Sequence, residues 1–195
     1  DDKLFIKPDG KPMAFMEAVV GGRSVGVPGT VRMLELAHQK HGKLPWATLF
    51  QPAISLATQG FKVSPRLSTL LAAEKELQKD ATAAAYFYRA DGTPHPVGHV
   101  LKNPELAAVL QKVAQQGAKA LHEGEVAQAI VDKVNRHPTN PGRMSLADLA
   151  GYQAKHREAL CHALAGQGRD FRVCGFPPPS SGAIAVGQIL GILAR

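Results

Sequence analysis

The sequence predicts an α+β protein that is mostly helical, and three observations lead to this prediction. Apolar residues recur at helical spacing in segments that open on capping residues and close on glycines. Alternation typical of strands is pronounced around one turn only, at Gln167-Gly168. The 195 residues are 45% apolar and 20% charged, a composition typical of a globular chain. No internal repeat or low-complexity linker divides the chain, so we expect one domain over residues 1–195.

The amino-terminal segment predicts a turn, a short strand and a helix. Residues 7–11 read Lys-Pro-Asp-Gly-Lys, which is a turn signal. A short strand is expected over residues 16–20. A helix is then expected to begin at about Thr30, with one apolar face, and to end at Gly42.

Two further helices are expected in the next forty residues or so. Pro45 begins the first, and Pro52 either kinks it or starts a new helix, because proline lacks the amide donor of a continuous helix. Gly60 ends this run. Ser64-Pro65 is an N-cap followed by proline at the first helical position, and the apolar spacing carries that helix to about Lys79.

The helical region is expected to cover residues 30–152. A turn-rich stretch at residues 85–100 interrupts it, and more helices are expected after that stretch. Asn103-Pro104 repeats the start signal, and Gly117 ends the helix that follows. Another helix is expected over residues 123–136. The segment Ser145-Leu-Ala-Asp148 is a variant of the capping box and opens a short helix.

Cys161 and Cys174 lie on the two sides of a predicted β-hairpin at residues 156–175. A turn centred on Gln167-Gly168 places the two cysteines directly opposite each other. A disulfide between them would close a loop of about 14 residues and stabilise the fold by about 3 kcal/mol. Two free cysteines are the alternative, since cross-strand pairs often have poor disulfide geometry.

The last region, residues 177–195, predicts a Pro-rich segment followed by a buried helix. Three prolines, Pro177 to Pro179, are expected to form a short polyproline II segment. Ser180 or Ser181 then caps a strongly apolar helix. In that helix Gly187 and Gly191 lie four residues apart, so another backbone could approach the same face closely.

The histidines do not predict a metal site. His38 and His41 lie three apart near a helix end, where interaction with the last carbonyl groups is expected. His95 and His99 are separated by a proline and a glycine, which argue against the helix that would direct both rings to one ion. The two cysteines lack a second ligand pair at zinc spacing. We therefore expect no metal and no cofactor.

Other reactive or binding motifs are also absent from the sequence. Ser180-Ser181-Gly182 is not a nucleophile elbow, and capping is the simpler function of its hydroxyls. The glycine-rich stretch around Gly22 lacks the lysine of a phosphate-binding loop, and Pro28 removes a donor. The net charge of +7 comes from scattered residues without interleaved aromatics, so no nucleic-acid partner is expected. No apolar run is long enough to span a membrane.

Several segments together resemble one family. The most specific is Phe176-Pro-Pro-Pro-Ser-Ser-Gly-Ala183, which is similar to a Phe-Pro-Pro-Pro-Ser-Ser-Gly-Gly segment of the γ-glutamyltranspeptidases; Ala183 replaces the last glycine. The other segments follow in the family's order: Gly22-Arg-Ser-Val-Gly-Val-Pro-Gly-Thr-Val31, His41-Gly-Lys-Leu-Pro-Trp46, Phe50-Gln-Pro-Ala-Ile54, Gly60-Phe-Lys-Val-Ser64 and Leu146-Ala-Asp-Leu-Ala-Gly-Tyr152. The resemblance extends over the whole chain.

The resemblance implies an interior fragment of the large subunit, and thus a single partial domain. Its fold would be part of the α/β/β/α sandwich of the N-terminal-nucleophile hydrolases, with the remaining strands outside this chain. In that family an autoprocessed N-terminal threonine attacks a γ-glutamyl amide such as glutathione, and the glutamyl group passes to water or to an amino acid or peptide.

The resemblance assigns no catalytic, substrate-binding, cofactor-binding or metal residue to this chain. In the family, the arginine that holds the substrate carboxylate lies before the region matching Asp1, and the threonine lies beyond the region matching Arg195. Arg23 falls in a different motif and does not substitute for that arginine. The fragment alone is therefore expected to be inactive.

The resemblance also implies partners and a location. The expected partners are the small subunit from the same precursor and a γ-glutamyl small molecule, and the expected location is periplasmic or secreted. Two alternatives remain open. One is an acylase of the same fold that acts on cephalosporin or glutaryl amides, and the other is a non-catalytic scaffold or binding module.

Overall fold

The computed structural model describes residues 3–166 and 168–194. The chain divides after Gln153 into two compact units, residues 1–153 and 154–195. Helices predominate in the first unit, and the second is a hairpin with one helix. The α+β class is thus confirmed for the described residues, while the single partial domain over residues 1–195 stays a prediction.

The first unit is built from short and medium helices with one small sheet. The sheet pairs β1 (Phe61–Lys62) with β2 (Val100–Leu101) in antiparallel register. Two 3-10 turns lie at Gly22–Ser24 and Leu77–Lys79. The helices are α1 (Phe15–Val19), α2 (Thr30–His41), α3 (Trp46–Gln59), α4 (Pro65–Ala73), α5 (Ala81–Phe87), α6 (Pro104–Gln116), α7 (Lys119–His122), α8 (Gly124–Asn135) and α9 (Leu146–Gly151).

The predicted N-caps of three helices are confirmed. The side chain of Ser64 accepts a hydrogen bond from the Leu67 amide at 3.1 Å, and that of Asn103 accepts one from the Leu106 amide at 2.8 Å. At α9 the capping box closes in both directions. Hydrogen bonds from the Ser145 hydroxyl and amide lower the pKa of Asp148, so the folded state favours its charged form.

The helix ends at Gly42, Gly60 and Gly117 are also confirmed, because α2, α3 and α6 stop there. Pro52 lies inside α3, which continues through it as one helix. Packing supports this arrangement, since Ile54 and Ala57 of α3 form a buried cluster with Ala107 of α6. Tertiary contacts thus compensate for the amide that proline lacks.

Three predicted elements differ from the structure, and local side-chain hydrogen bonds explain two of them. Residues 16–20 are not a strand, because the Glu17 carboxylate accepts from the Ala14 amide at 3.0 Å and opens α1. The helix from Pro65 ends at Ala73 rather than Lys79, because Glu74 Oε1 accepts from the Glu76 amide at 2.7 Å. The turn-rich stretch at 85–100 begins inside α5.

Asp80 links two helices of the first unit. Its Oδ1 accepts from the Ala83 amide at 3.0 Å and caps α5, and its Oδ2 forms an ion pair with Lys133 of α8. The hydrogen bond from Lys133, followed by that from the Ala83 amide, lowers the pKa of Asp80. The folded state therefore favours the charged carboxylate, and this stabilisation is present above the ordinary pKa of about 3.8 and is lost as the pH falls through the lowered folded value.

We expect Asp80→Asn to destabilise α5 by about 0.5 kcal/mol at pH 7, since asparagine still caps a helix but the half-exposed ion pair with Lys133 is lost. Amide hydrogen exchange in α5, corrected for the intrinsic effect of pH, measures the change. The difference from the wild type should shrink as the pH falls below about 3.8 and through the lowered folded value, because the unfolded chain takes up the proton first. The same substitution at the exposed Asp170 is the control, and equal effects at both positions would contradict the assignment.

The main core of the first unit lies between α8 and α9. Leu149 is fully buried there, and the side chain of Asn135 in α8 donates to the Met144 carbonyl at 2.7 Å. The buried members of the cluster are Ala127, Val131, Val134, Met144 and Leu149. This core anchors the loop at residues 137–143 against the end of α8.

The second unit contains the hairpin of β3 (Leu160–Gly166) and β4 (Arg169–Gly175). Its antiparallel register pairs Cys161 with Cys174, and a disulfide joins their Sγ atoms. The predicted tip includes Gln167, which lies outside the described residues. The strands are shorter than the predicted span of 156–175, because residues before Leu160 are not in the ladder.

The Pro-rich segment forms a turn, so the prediction of polyproline II was wrong. The Ser180 amide donates to the Pro177 carbonyl at 3.2 Å, and the Pro178–Pro179 peptide bond is cis. The helix that follows is α10 (Gly182–Leu193). Ser181 stands at its N-cap position, but its side chain makes no capping hydrogen bond, contrary to the prediction.

The apolar helix α10 is largely exposed among the described residues, whereas its composition predicted burial in the complete protein. Ala183, Gly187 and Leu190 are half-buried and share one face at helical spacing. The other large apolar side chains are exposed, with Ile192 at 71% and Leu193 at 77%. Helix α10 is apolar on all sides, but the hairpin covers only one of its faces.

Candidate functional site

The segment at Gly21-Gly22 lies against the loop that follows α8. A Cβ atom built on the buried Gly22 would collide with the Val134 carbonyl oxygen and would lie 2.7 Å from the Gly142 nitrogen. The Gly142 amide itself donates to the Val134 carbonyl at 2.9 Å. This glycine is therefore required for close backbone approach, not for holding a phosphate.

Asn140 connects the same loop to the amino-terminal segment. The residue is 4% exposed, and its Nδ2 donates to the carbonyl oxygens of Glu17 at 2.9 Å and Val20 at 2.8 Å. Its own carbonyl accepts from the amides of Gly22 at 2.9 Å and Arg23 at 3.2 Å. One side chain and its backbone thus hold α1 and the first 3-10 turn in place.

The Val-Pro-Gly-Thr turn contacts a second sequence segment from the far end of the first unit. A Cβ atom on Gly29 would lie 2.5 Å from Cζ of Tyr152, so glycine makes room for this ring. The Tyr152 ring in turn stacks on His122, with centroids 5.9 Å apart. His122 is 1% exposed and its Nδ1 lies 2.7 Å from the Leu149 carbonyl oxygen. These segments therefore have packing functions.

Arg23 also has a structural function. Its Nη1 donates to the Leu4 carbonyl at 2.8 Å, and the side chain is half-buried. The guanidinium is thus used to hold the amino-terminal segment.

Nucleophilic catalysis by a hydroxyl group needs a neighbouring base. The Thr139 hydroxyl lies 3.5 Å from Nδ1 of His137, but that nitrogen already accepts from the Asn140 amide at 3.1 Å. The lone pair is therefore engaged and cannot take the hydroxyl proton. Ser180 and Ser181 are exposed at the start of α10.

The histidines occupy positions that the sequence explained in part. Nε2 of His38 lies 2.8 Å from the Leu44 carbonyl oxygen, beyond the end of α2 rather than within its last turn. His95 and His99 stack with centroids 3.9 Å apart, a contact that the sequence did not predict. Burial, and then the charges of His99 and Arg89, lower the pKa of His95. Among residues 3–166 and 168–194, no three potential ligands gather at a metal site.

Two clefts lie on the first unit. One, of about 460 Å³, lies beside α5 and is lined by Tyr88 and Arg89 among others. The other, of about 560 Å³, lies near α1, where Lys7 and Glu17 form an ion pair at 2.7 Å. That pair lowers the pKa of Glu17, so the carboxylate stays charged and is not poised to take up a proton.

The contacts described above are all packing contacts or structural hydrogen bonds. The sequence had named two candidate site residues, which are the cysteines. Cys161 and Cys174 lie in the second unit, bonded to each other. The tight positions of Gly22 and Gly29 could not be recognised from spacing alone, since the atoms they contact are more than a hundred residues away. Within the described part of the chain, no helix is both long and apolar enough to cross a membrane.

Comparison with known proteins shows to which family the chain is similar. The γ-glutamyltranspeptidase family model matches residues 1–195. Glutathione hydrolase 2 of Arabidopsis thaliana is 38% identical over 176 residues, which are 90% of this chain and 29% of that protein. The acylase ACY 1 proenzyme of Pseudomonas sp. (strain V22) is 35% identical over 178 residues, which are 91% of this chain and 30% of the relative.

A solved structure supports the same assignment. The γ-glutamyltranspeptidase of Helicobacter pylori matches with a TM-score of 0.87 and 28% identity, over 97% of this chain and 52% of that one. The chain therefore spans about a third of the length of these curated relatives and about half of the solved chain. Since the family model matches every residue from 1 to 195, this chain belongs to the γ-glutamyltranspeptidase family.

Proposed function

We propose that this chain is a large-subunit segment of an enzyme that cleaves γ-glutamyl amides such as glutathione. The enzyme transfers the glutamyl group to water or to an amino acid or peptide. The observation that carries the proposal is the family match over residues 1–195, together with a relative named glutathione hydrolase at 38% identity.

In this proposal the chain provides scaffold rather than reacting groups. The hydroxyls of Ser181 and Thr139 have no free base beside them among the described residues, and Arg23 is held by the Leu4 carbonyl. The nucleophile is a threonine outside this chain, exposed as a new amino terminus when the precursor cuts itself. The fold is the α/β/β/α sandwich of the N-terminal-nucleophile hydrolases, completed by strands outside residues 1–195.

The chemistry follows from a nucleophile that carries its own base. The α-amino group of the threonine takes the hydroxyl proton, and the oxygen attacks the γ-glutamyl carbonyl carbon. The leaving amine receives a proton as the acyl-enzyme ester forms. Water then attacks the ester to give hydrolysis, or the amine of an amino acid attacks it to give transfer. Donor groups must hold the oxyanion in both steps.

A second candidate is an acylase of the same fold that acts on cephalosporin or glutaryl amides. The relative named an acylase proenzyme, 35% identical to this chain, favours it. The packing contacts of Gly22 and Gly29 suit either enzyme, because they join one part of the scaffold to another. The glutathione reading is preferred because the relative with the higher identity is a glutathione hydrolase.

The partners in this proposal are the small subunit cut from the same precursor and a γ-glutamyl small molecule. The word proenzyme in the name of one relative supports a cleaved precursor. The proposed location is periplasmic or secreted. An oxidising compartment also suits a disulfide between Cys161 and Cys174.

Expression of the complete gene tests this function. Intact-mass analysis and amino-terminal sequencing should reveal a second fragment that begins with threonine. Replacement of that threonine by alanine should leave the precursor uncut and reduce cleavage of a γ-glutamyl anilide to the uncatalysed background, because the nucleophile is lost. Parallel assays with a glutaryl amide and a cephalosporin side-chain amide distinguish the acylase.

A matched control within this chain is Ser181→Ala. Its hydroxyl makes no capping bond, so cutting and the rate should stay within about twofold of the wild type. A single uncut chain without a threonine at the cut site would instead mean a non-catalytic scaffold. Faster turnover of the glutaryl or cephalosporin amide would favour the acylase.

A further inference from the structure

The two faces of the hairpin in the second unit have different functions. Side chains alternate along a strand, so Cys161 and its partner Cys174 project from one face. His162 and Gly175, the residues that follow each cysteine, belong to the opposite face. In each strand, a cysteine of the disulfide is therefore followed directly by a residue of the opposite face.

Helix α10 packs on the face opposite the disulfide. A Cβ atom on Gly175 would lie 2.9 Å from the Ala183 Cβ, and one on Gly187 would lie 2.5 Å from Cδ2 of His162. Ala183 and Gly187 are four residues apart and share one side of α10. We call His162 and Gly175 the α10 seat. Because these contacts are so close, α10 can pack here only when His162 and Gly175 lie on the same face at a fixed distance from each other along the hairpin.

The register of β3 and β4 sets this offset. A slip of one residue would turn His162 to the other face and remove the seat. The covalent bond between Cys161 and Cys174 fixes the pairing next to both seat residues. The bond therefore holds in register the surface on which α10 packs.

We propose that the Cys161–Cys174 disulfide is a thiol-exchange site, and that its reduction by a small thiol releases helix α10 from the hairpin. The choice of glutathione as that thiol rests on the proposed function, in which glutathione is a substrate. The consequence for α10 rests on the register and the seat alone. The site is thus sensitive to the thiol that the enzyme consumes.

The exchange takes place in two balanced steps. A glutathione thiolate attacks Sγ of Cys174, which belongs to an exposed residue, whereas Cys161 is half-buried. A mixed disulfide forms, and Cys161 leaves as a thiolate that takes up a proton. A second glutathione thiolate attacks the glutathione sulfur of the mixed disulfide, and Cys174 leaves as a thiolate. Two glutathione molecules are oxidised to their disulfide, and the protein disulfide is reduced to two thiols.

The charges near the disulfide suit this reagent. Arg172 precedes Cys174 by two residues and therefore belongs to the same face, opposite Ala163. Glutathione carries carboxylates, which this guanidinium attracts as the thiolate approaches. Asp170 is the next residue on that face along β4, and it opposes the attraction from a greater distance along the strand.

The test uses the full-length protein in glutathione buffers of increasing reduced-to-oxidised ratio. Acid quenching, alkylation and peptide mass analysis measure the disulfide, the mixed disulfide and the free thiols. We expect conversion to thiols through a mixed disulfide at Cys174. Hydrogen exchange of the β3, β4 and α10 amides should accelerate by about a hundredfold on reduction, while α3 and α6 stay unchanged.

Two controls separate this inference from the proposed function. The double variant Cys161→Ser, Cys174→Ser should show the faster α10 exchange in every buffer and no response to glutathione. Tris(2-carboxyethyl)phosphine, which is not a γ-glutamyl compound, should produce the same change in the wild type. Persistence of the disulfide in excess reduced glutathione would overturn the inference. So would unchanged α10 exchange after complete reduction, whatever the amidase assay gives.

Discussion

Replacement of Gly22 by alanine is expected to lower the free energy of unfolding of the first unit by about 3 kcal/mol or more. The added methyl group would collide with the Val134 carbonyl oxygen and come within 2.7 Å of the Gly142 nitrogen. These two backbone atoms are hydrogen-bonded to each other, so neither can move aside without weakening that bond. Hydrogen exchange of the α8 amides in the full-length protein measures the loss.

The matched control for this substitution is Gly26→Ala in the same segment. Nothing lies within 4 Å of a Cβ atom at that position, and its φ is not in the left-handed region. Alanine restricts the unfolded chain, so the expected effect is between zero and a stabilisation of about 1 kcal/mol. Equal destabilisation by the two substitutions would mean that the glycine-rich segment is sensitive as a whole and that the contact with Val134 is not the cause.

Replacement of Leu149 by alanine is the second change with a large expected effect, a loss of about 2–5 kcal/mol from the stability of the core between α8 and α9. Leu149 is 0% exposed and lies among Val131, Val134 and Met144. Truncation leaves a cavity that these side chains fill only in part. Hydrogen exchange of the α8 and α9 amides, with urea unfolding as a second measurement, gives the magnitude.

Leu146→Ala provides the control in the same helix. Leu146 is 44% exposed, so the same chemical change should cost less than about 1 kcal/mol. A cost at Leu149 no greater than that at Leu146 would contradict the burial described for α9. A large loss at Leu149 with no change in the exchange of α10 would agree with a core that belongs to the first unit.

Local sequence signals predicted the helix boundaries that depend on local chemistry. The caps at Ser64, Asn103 and Ser145 were correct, because each side chain bonds an amide three residues ahead. The glycine ends at Gly42 and Gly60 were correct for the same reason, since a helix end is decided within one turn.

The elements that the sequence did not predict depend on longer-range or competing contacts. The Glu74 side chain accepts a hydrogen bond from the Glu76 amide, which would otherwise extend α4. The Glu17 side chain accepts one from the Ala14 amide and so begins α1 where a strand was expected. Pro52 stays inside α3 because α6 packs against that helix. The composition of α10 indicated an apolar environment, but it could not indicate how much of that environment this chain supplies.

The sequence predicted the pairing of the two cysteines but not the packing of the glycines. The sequence placed Cys161 opposite Cys174 from the position of one turn, and the register agrees. The contacts of Gly29 with Tyr152 and of Gly22 with Val134 join residues whose sequence separation exceeds a hundred. Only the folded chain shows that these distant segments support one another.

The amide of Asn140 has a consequence for the order in which the first unit forms. It bonds the Glu17 carbonyl, 123 residues earlier in the chain. During synthesis the amino-terminal segment leaves the ribosome long before the loop that holds it, so α1 and the turn at Gly22 must wait without their hydrogen-bond partners. The hydrogen bonds that hold α1 can therefore form only after residue 140 has been made, which is late in the synthesis of the first unit.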